Sequence, residues 1–177
     1  ELGVVKAITI TQGAWSPIQW TNYLTELGAT PGRVGVGATG DKVYFSANGE
    51  LWVADEATGE NAQKVTLPDG FVAGGVHVDD AGNLMVSGPD VAYANGGQLQ
   101  LYKVNSDGSY TNLVDYNVAN FYSTEMGNFR VKGDITKNAL IAAYVCDGGG
   151  HALLWEVKGG VVAALPYIDL GDGSWDA

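Results

Sequence analysis

One pattern occurs three times along the chain and limits what it can fold into: four short strand-like segments separated by turns, in the same order each time. In the first copy residues 33–37 alternate, 39–42 (TGDK) turn, and 42–47 (KVYFSA) read as a strand. Asn48-Gly49 then supplies a hairpin turn, residues 50–55 (ELWVAD) form a third strand, and 63–67 (QKVTL) close the unit. The second copy runs through 75–79 (GVHVD), the turn 80–83, 84–87 (LMVS), a longer loop, 98–104 (QLQLYKV), the turn 106–108 and 110–116. The third runs through 129–132, a turn at 136–138, 139–145 (ALIAAYV), the loop Gly148-Gly149-Gly150, 151–157 (HALLWEV), Gly159-Gly160 and 161–167. The turn before each closing strand falls at Gly59, Gly108 and Gly160, at intervals of 49 and 52 residues.

A four-stranded antiparallel meander repeated at about fifty residues is the signature of a β-propeller blade, a unit that exists only stacked beside others because alone it cannot bury both faces. The expected fold is therefore all-β and β-propeller-like, with three four-stranded antiparallel blades at 33–70, 71–120 and 121–170. Residues 1–32 form an N-terminal segment, with a strand at 4–11 (VVKAITIT) and, at 21–27 (TNYLTEL), one short helix or an extended crossing strand. Residues 171–177 read as the start of a further blade. Propellers close with four to eight blades, so the expectation is a fragment of a larger propeller, a blade completed by residues 4–24, or completion by a second chain. Tyr44, Trp52, Val86, Leu101, Tyr102, Ile141 and Trp155 are bulky strand formers and are the expected core.

Twenty acidic residues against nine basic ones give a net charge of −11. The cations are scattered, so nucleic acid and anionic membrane surfaces are disfavoured as partners. No apolar run approaches the roughly twenty residues of a membrane-spanning helix, and no membrane insertion is expected. Cys146 is the only cysteine, so no intrachain disulfide forms and cysteine pairing says nothing about the compartment. The chain begins at Glu1, as a mature or trimmed product would.

No catalytic signature stands out: there is no G-x-S-x-G, H-E-x-x-H or phosphate-binding glycine loop. The carboxylates available for glycoside hydrolysis, such as Glu50, Glu125 and Glu156, form no selected pair. His77 and His151 lie 74 residues apart and give no zinc spacing. Asp169, Asp172 and Asp176 do not match a calcium loop and read as turn residues. Neither a metal nor a cofactor is expected. His77 sits in the first strand of the second blade, on the side opposite Val76 and Val78. With Arg130 and Lys132 from the matching strand of the third blade it would line a channel able to attract an anionic ligand such as an acidic sugar. Trp15 and Trp20, which flank Pro17, are candidates for stacking on a pyranose.

The third copy carries the run from Asn128 to Asp134 (NFRVKGD), then Asn138-Ala139-Leu140-Ile141, then Leu154-Trp155-Glu156-Val157 before a Gly-Gly turn. These motifs, together with Trp20-Thr21 and Glu26-Leu27-Gly28, resemble an uncharacterised family of secreted, lipoprotein-type β-propellers of Gram-negative gut-type bacteria, over about residues 20–170. The resemblance implies a secreted or cell-envelope location and more blades in the full-length protein, and it carries over no catalytic residues. The resulting expectation is a non-catalytic secreted or cell-surface binding or structural module that recognises a glycan or an envelope protein. The alternatives are a polysaccharide-active propeller hydrolase or lyase whose site lies partly outside this chain, and a protein that self-associates through open blade edges.

Overall fold

The computed structural model describes residue 28 and residues 34–88, 91–93, 98–117, 123–125, 129–146 and 150–170. The strand expected at 4–11, the helix or crossing strand at 21–27, Trp15, Trp20 and the tail 171–177 lie outside the described residues. Among the described residues there are strands and turns and no helix.

The first sheet is a meander in chain order: β1 (Val34–Thr39), β2 (Lys42–Ala47), β3 (Glu50–Asp55) and β4 (Gln63–Val65). Its β2–β3 turn needs two residues at positive φ, and Asn48 at 49° and Gly49 at 84° supply them. The second sheet contains β5 (Gly75–Val78) and β6 (Leu84–Gly88). The chain then leaves it through β7 (Val91–Tyr93) and returns as β8 (Gln98–Val104) and β9 (Tyr110–Asn117). The third sheet takes β10 (Ser123–Glu125), β11 (Arg130–Gly133), β12 (Asn138–Cys146), β13 (Gly150–Lys158), β14 (Val161–Ala164) and β15 (Ile168–Asp169), with β7 joined to it through β10. The loop predicted between the second and third strands of the second sheet is thus partly a strand of the third. Among the described residues all pairings are antiparallel.

Pleating sends alternate residues to opposite faces, and both faces of the middle sheet are covered. One face carries Val76, Leu84 and Val86, which pack with Leu51 of β3, Phe71 and Ala73, and with half-buried Tyr44 and Tyr102. The other carries Met85, Leu99, Leu101 and Val114, which pack with Ile141, Leu153, Trp155 and Val157 of the third sheet. The outer face of the first sheet buries Phe45, Ala47, Trp52 and Ala54. Each fully buried Leu, Ile, Met or Val contributes about 1.5–3 kcal/mol, and these two inter-sheet layers hold most of them.

Close approach of the first two sheets depends on small residues. A Cβ at Gly35 would sit 2.8 Å from the Val76 nitrogen, and one at Gly37 would sit 3.1 Å from a methyl of Val76 and one of Val78. The buried Ser46 hydroxyl accepts from the Gly35 N–H at 2.9 Å and donates to the Gly74 carbonyl at 2.8 Å, so it satisfies backbone groups in both sheets at once. The second and third sheets are joined by Asp79. Its Oδ1 accepts from the backbone N–H of Ala81 (2.9 Å) and Asn83 (2.8 Å), and its Oδ2 accepts from the Asn83 amide (2.9 Å) and from the Ile135 N–H of the third sheet (2.8 Å). Next to it, Asp80 and Gly133 exchange two bonds, the Asp80 N–H to the Gly133 carbonyl at 3.1 Å and the Gly133 N–H to Asp80 Oδ2 at 2.9 Å.

Gly35→Ala is expected to destabilise the protein by about 1–3 kcal/mol, since the new methyl meets backbone rather than a yielding side chain. Val36→Ala, at a side chain 64% exposed on the adjacent position, should cost under about 1 kcal/mol. Urea midpoints at unchanged slope measure both.

Candidate functional site

Strands β5 and β11 carry His77, Arg130 and Lys132, three of the residues singled out in the sequence. In β5 His77 is opposite Met85, and in β11 Lys132 is opposite Leu140. His77 and Lys132 therefore hold matching places in successive sheets, as Gly75 (opposite Ser87) and Arg130 (opposite Ala142) do. Their surroundings differ. The His77 ring lies between the second and third sheets, with Nε2 2.9 Å from the Ser87 hydroxyl and its edge against Phe129 at a centroid distance of 6.0 Å. Burial, and after it the nearby Arg130 cation, lowers its pKa to about 4, so the ring is neutral at physiological pH. Arg130 donates from Nη1 to the Phe129 carbonyl at 2.8 Å. Lys132 is well exposed and lies 2.8 Å from Asp80 Oδ2, whose pKa it lowers. The positive charge on these strands thus comes from Arg130 and Lys132.

A second feature was not visible in the sequence. Between the first and second sheets, where the β1–β2, β5–β6 and β8–β9 turns come together, a cleft of about 340 Å³ opens. Tyr44, Leu84 and Val104 line it, all three from the faces the two sheets turn toward each other. Thr39, Asn83 and Asn105 line it as well. Thr39 closes one end by donating from Oγ1 to the Gly82 carbonyl at 2.7 Å. The Asn83 amide donates to Asp79 and, at 3.3 Å, to Asp134 Oδ1, which fixes its orientation. Asn105 is held likewise, its amide donating to Ser109 and Thr111 hydroxyls at 3.0 and 3.1 Å and its carbonyl oxygen accepting from Lys103 at 2.5 Å. The Asn and Thr residues lie in or beside turns, where turn geometry alone accounts for their identity; only the tertiary fold brings them around a tyrosine. At the opposite end of the same inter-sheet seam a cleft of about 440 Å³ is lined by Glu50, Lys64, Leu67 and Phe71 among others.

Residues 34–177 match the sequence family described as Domain of unknown function (DUF8500). The chain belongs to the DUF8500 family. No curated protein and no solved structure matches it. The matched segment begins at the first residue of β1, so the DUF8500 domain takes in all three sheets and both clefts.

The remaining sequence candidates in the DUF8500 domain have structural partners. Glu50 accepts from the Trp52 indole N–H at 3.0 Å and from Lys64 at 2.6 Å, which lowers its pKa, the opposite of what a general acid requires. Glu156 pairs with Lys158 at 2.8 Å in the third sheet. The Glu125 side chain lies outside the described residues, as do Asp172 and Asp176, while Asp169 ends β15. His151 meets the edge of Tyr167 at 4.8 Å. Trp52 stacks on Phe45 and Trp155 packs on Phe129 and Tyr116, and both indoles are buried. Among the described residues no three His, Cys, Asp or Glu side chains are grouped to hold a metal ion.

His77 makes a specific pH signature. Its folded pKa of about 4 lies below the unfolded value of about 6.5, so the unfolded chain binds its proton first and stability falls as pH drops from about 6.5 to about 4. The loss attributable to this ring is roughly 3 kcal/mol. His77→Gln is expected to flatten that part of the stability profile relative to the parent protein, as read by urea denaturation at a series of pH values. An unchanged profile would mean that the ring is solvated.

Proposed function

We propose that the DUF8500 chain is a non-catalytic recognition module of a secreted or cell-surface protein, with its three sheets as blades of a propeller-type arrangement and a glycan of the cell envelope as its ligand. The observation that carries this reading is the 340 Å³ cleft between the first two sheets. Its volume lies in the range of small-ligand pockets. An aromatic ring beside Leu84 and Val104 offers a surface for the apolar side of a sugar, and oriented Asn and Thr groups at the margin suit sugar hydroxyls. The arrangement of the first strands also supports the blade reading. Each sheet begins with a strand set against that of the next, through Gly35 on Val76 and through the paired Asp80 and Gly133. Arg130 and Lys132, with His77 between the sheets, would give those strands a preference for acidic sugars. Trp15 and Trp20 remain stacking candidates, and a protein of the envelope is the other partner this module could hold.

Titration of isotope-labelled protein with a panel of neutral and acidic oligosaccharides is the direct test. Saturable shifts centred on Thr39, Tyr44, Asn83 and Asn105, without any product, are expected. Tyr44→Ala should weaken that binding by about tenfold, or ~1.4 kcal/mol. Release of new reducing ends or unsaturated sugars would replace this reading with a polysaccharide-active enzyme.

A further inference from the structure

The lysines of the three sheets differ in how their charge is used. Lys42, Lys64, Lys132, Lys137 and Lys158 form ion pairs with Asp55, Glu50, Asp80, Asp134 and Glu156 respectively. Lys103 forms none among the described residues. Its Nζ donates instead to a neutral acceptor, Asn105 Oδ1, at 2.5 Å. An ammonium has three donors, so two remain for a ligand. The carboxylate that its charge does influence is Asp107, which is spoken for. The Ser109 hydroxyl and N–H chiefly lower the Asp107 pKa and the Lys103 charge contributes least, and Asp107 Oδ1 accepts both Ser109 groups, at 2.6 and 2.9 Å.

The position of Lys103 gives this free charge a use. Near the end of β8 it lies opposite Met85 and Thr111. From there its side chain reaches the turn, where the bond to Asn105 holds the ammonium at the margin of the 340 Å³ cleft. Tyr44, Leu84 and Val104 form the apolar wall of that cleft, and no carboxylate is among the residues that line it. The cleft at the other end of the same seam is different, since its Lys64 and Glu50 neutralise each other at 2.6 Å. One cleft therefore has an uncompensated cation at its mouth, in a chain whose net charge is −11.

The chemistry of that mouth selects a ligand class. A pyranose that lays its apolar side on Tyr44 turns its ring substituents toward the margin. In a uronic acid one of those substituents is a carboxylate, and a charge-assisted hydrogen bond to an ammonium is roughly twice as strong as a neutral one. A single lysine with neutral amide neighbours suits one carboxylate. A phosphate or sulfate ester is better matched by the arginine fork or by a nest of backbone N–H groups. The acidic remainder of the molecule repels a polyanion, whereas one carboxylate beside Lys103 is closer to that cation than the screening length of about 8 Å. We infer that the cleft takes a uronic acid within an otherwise neutral glycan, with the sugar carboxylate on Lys103. This rests on the glycan reading of the cleft and makes Lys103 its specificity-determining residue, independently of Arg130 and Lys132.

Isothermal titration with a panel of matched oligosaccharide pairs tests this. The members of a pair differ only in whether one sugar carries a hydroxymethyl group or a carboxylate. For the pair that binds, the acidic member should be held about tenfold more tightly at low salt, and the ratio should shrink as salt rises to about 0.5 M. Lys103→Met should bring the ratio to about parity and Lys103→Arg should keep it, with circular dichroism to check folding. Lys158→Met removes the same charge in the third sheet and should leave the ratio unchanged, whereas Tyr44→Ala should weaken both members alike. Equal affinity of the parent protein for the two members, or a preference that survives Lys103→Met, overturns this inference and leaves the glycan reading standing. Binding of no member of the panel overturns both.

Discussion

The organising constraint on this molecule is that a four-stranded sheet with apolar side chains on both faces must be covered twice. The second sheet meets it completely: Val76, Leu84 and Val86 are covered on one side, and Met85, Leu101 and Val114 on the other. Sheets this close bring backbone polar groups into dry contact, where an unpaired donor costs about 1–3 kcal/mol. Two of the three buried polar residues among those described answer this demand. Ser46 serves the Gly35 N–H and the Gly74 carbonyl, and Asp79 collects four donors from two sheets. Glycine in β1 follows from the same requirement, because the backbone of β5 occupies the place where a Cβ would stand.

The clefts follow from where that packing stops. Strands twist, so two sheets in contact along their centres part toward the turns, and clefts open at both ends of the first seam. The turns that border the upper cleft must be polar, because they end strands in water, and must be rigid, because Asx-type bonds hold them. Asp79 is the acceptor for its own turn and also fixes the Asn83 amide at the cleft. One residue therefore couples the seam between the second and third sheets to the margin of the cleft between the first and second.

Much of the strand pattern was legible. Residues 42–47, 50–55 and 98–104 form β2, β3 and β8 with the boundaries that alternation and turn chemistry predict, because Asn48-Gly49 admits positive φ at both positions and because Tyr, Trp and Val favour pleated, half-buried sites. Trp52, Val86, Leu101, Ile141 and Trp155 are buried as their strand positions suggest, whereas Tyr44 and Tyr102 are only partly so. The pairing of β7 with β10 was not legible: each has three residues, too few for alternation to register, and their pairing is set by neighbours distant in sequence. The cleft escaped for a related reason. Thr39, Asn83 and Asn105 belong to separate turns, and nothing local distinguishes a turn asparagine at a margin from one facing open water. His77 was legible as a residue of the first strand, but its burial depends on Phe129, 52 positions further on.

The direction of the carboxylate shifts bears on what kind of site this frame suits. Glu50, Asp55, Asp80, Asp107 and Asp134 are all held below the ordinary carboxylate range, by Lys64, by Lys42, by Lys132 with the Gly133 N–H, by Ser109, and by Thr136 with Lys137. A carboxylic acid that is to donate a proton at neutral pH needs the reverse, an apolar environment without cations or N–H donors. At neutral pH these five groups are ionised acceptors that organise backbone and lysine, and a carboxylate so held contributes geometry rather than proton transfer. That division commits these carboxylates to scaffolding and leaves Thr39, Tyr44, Asn83, Asn105 and the Lys103 cation around the cleft, a lining whose hydroxyl, amide and ammonium groups suit the proposed binding role by hydrogen bonding rather than by proton transfer.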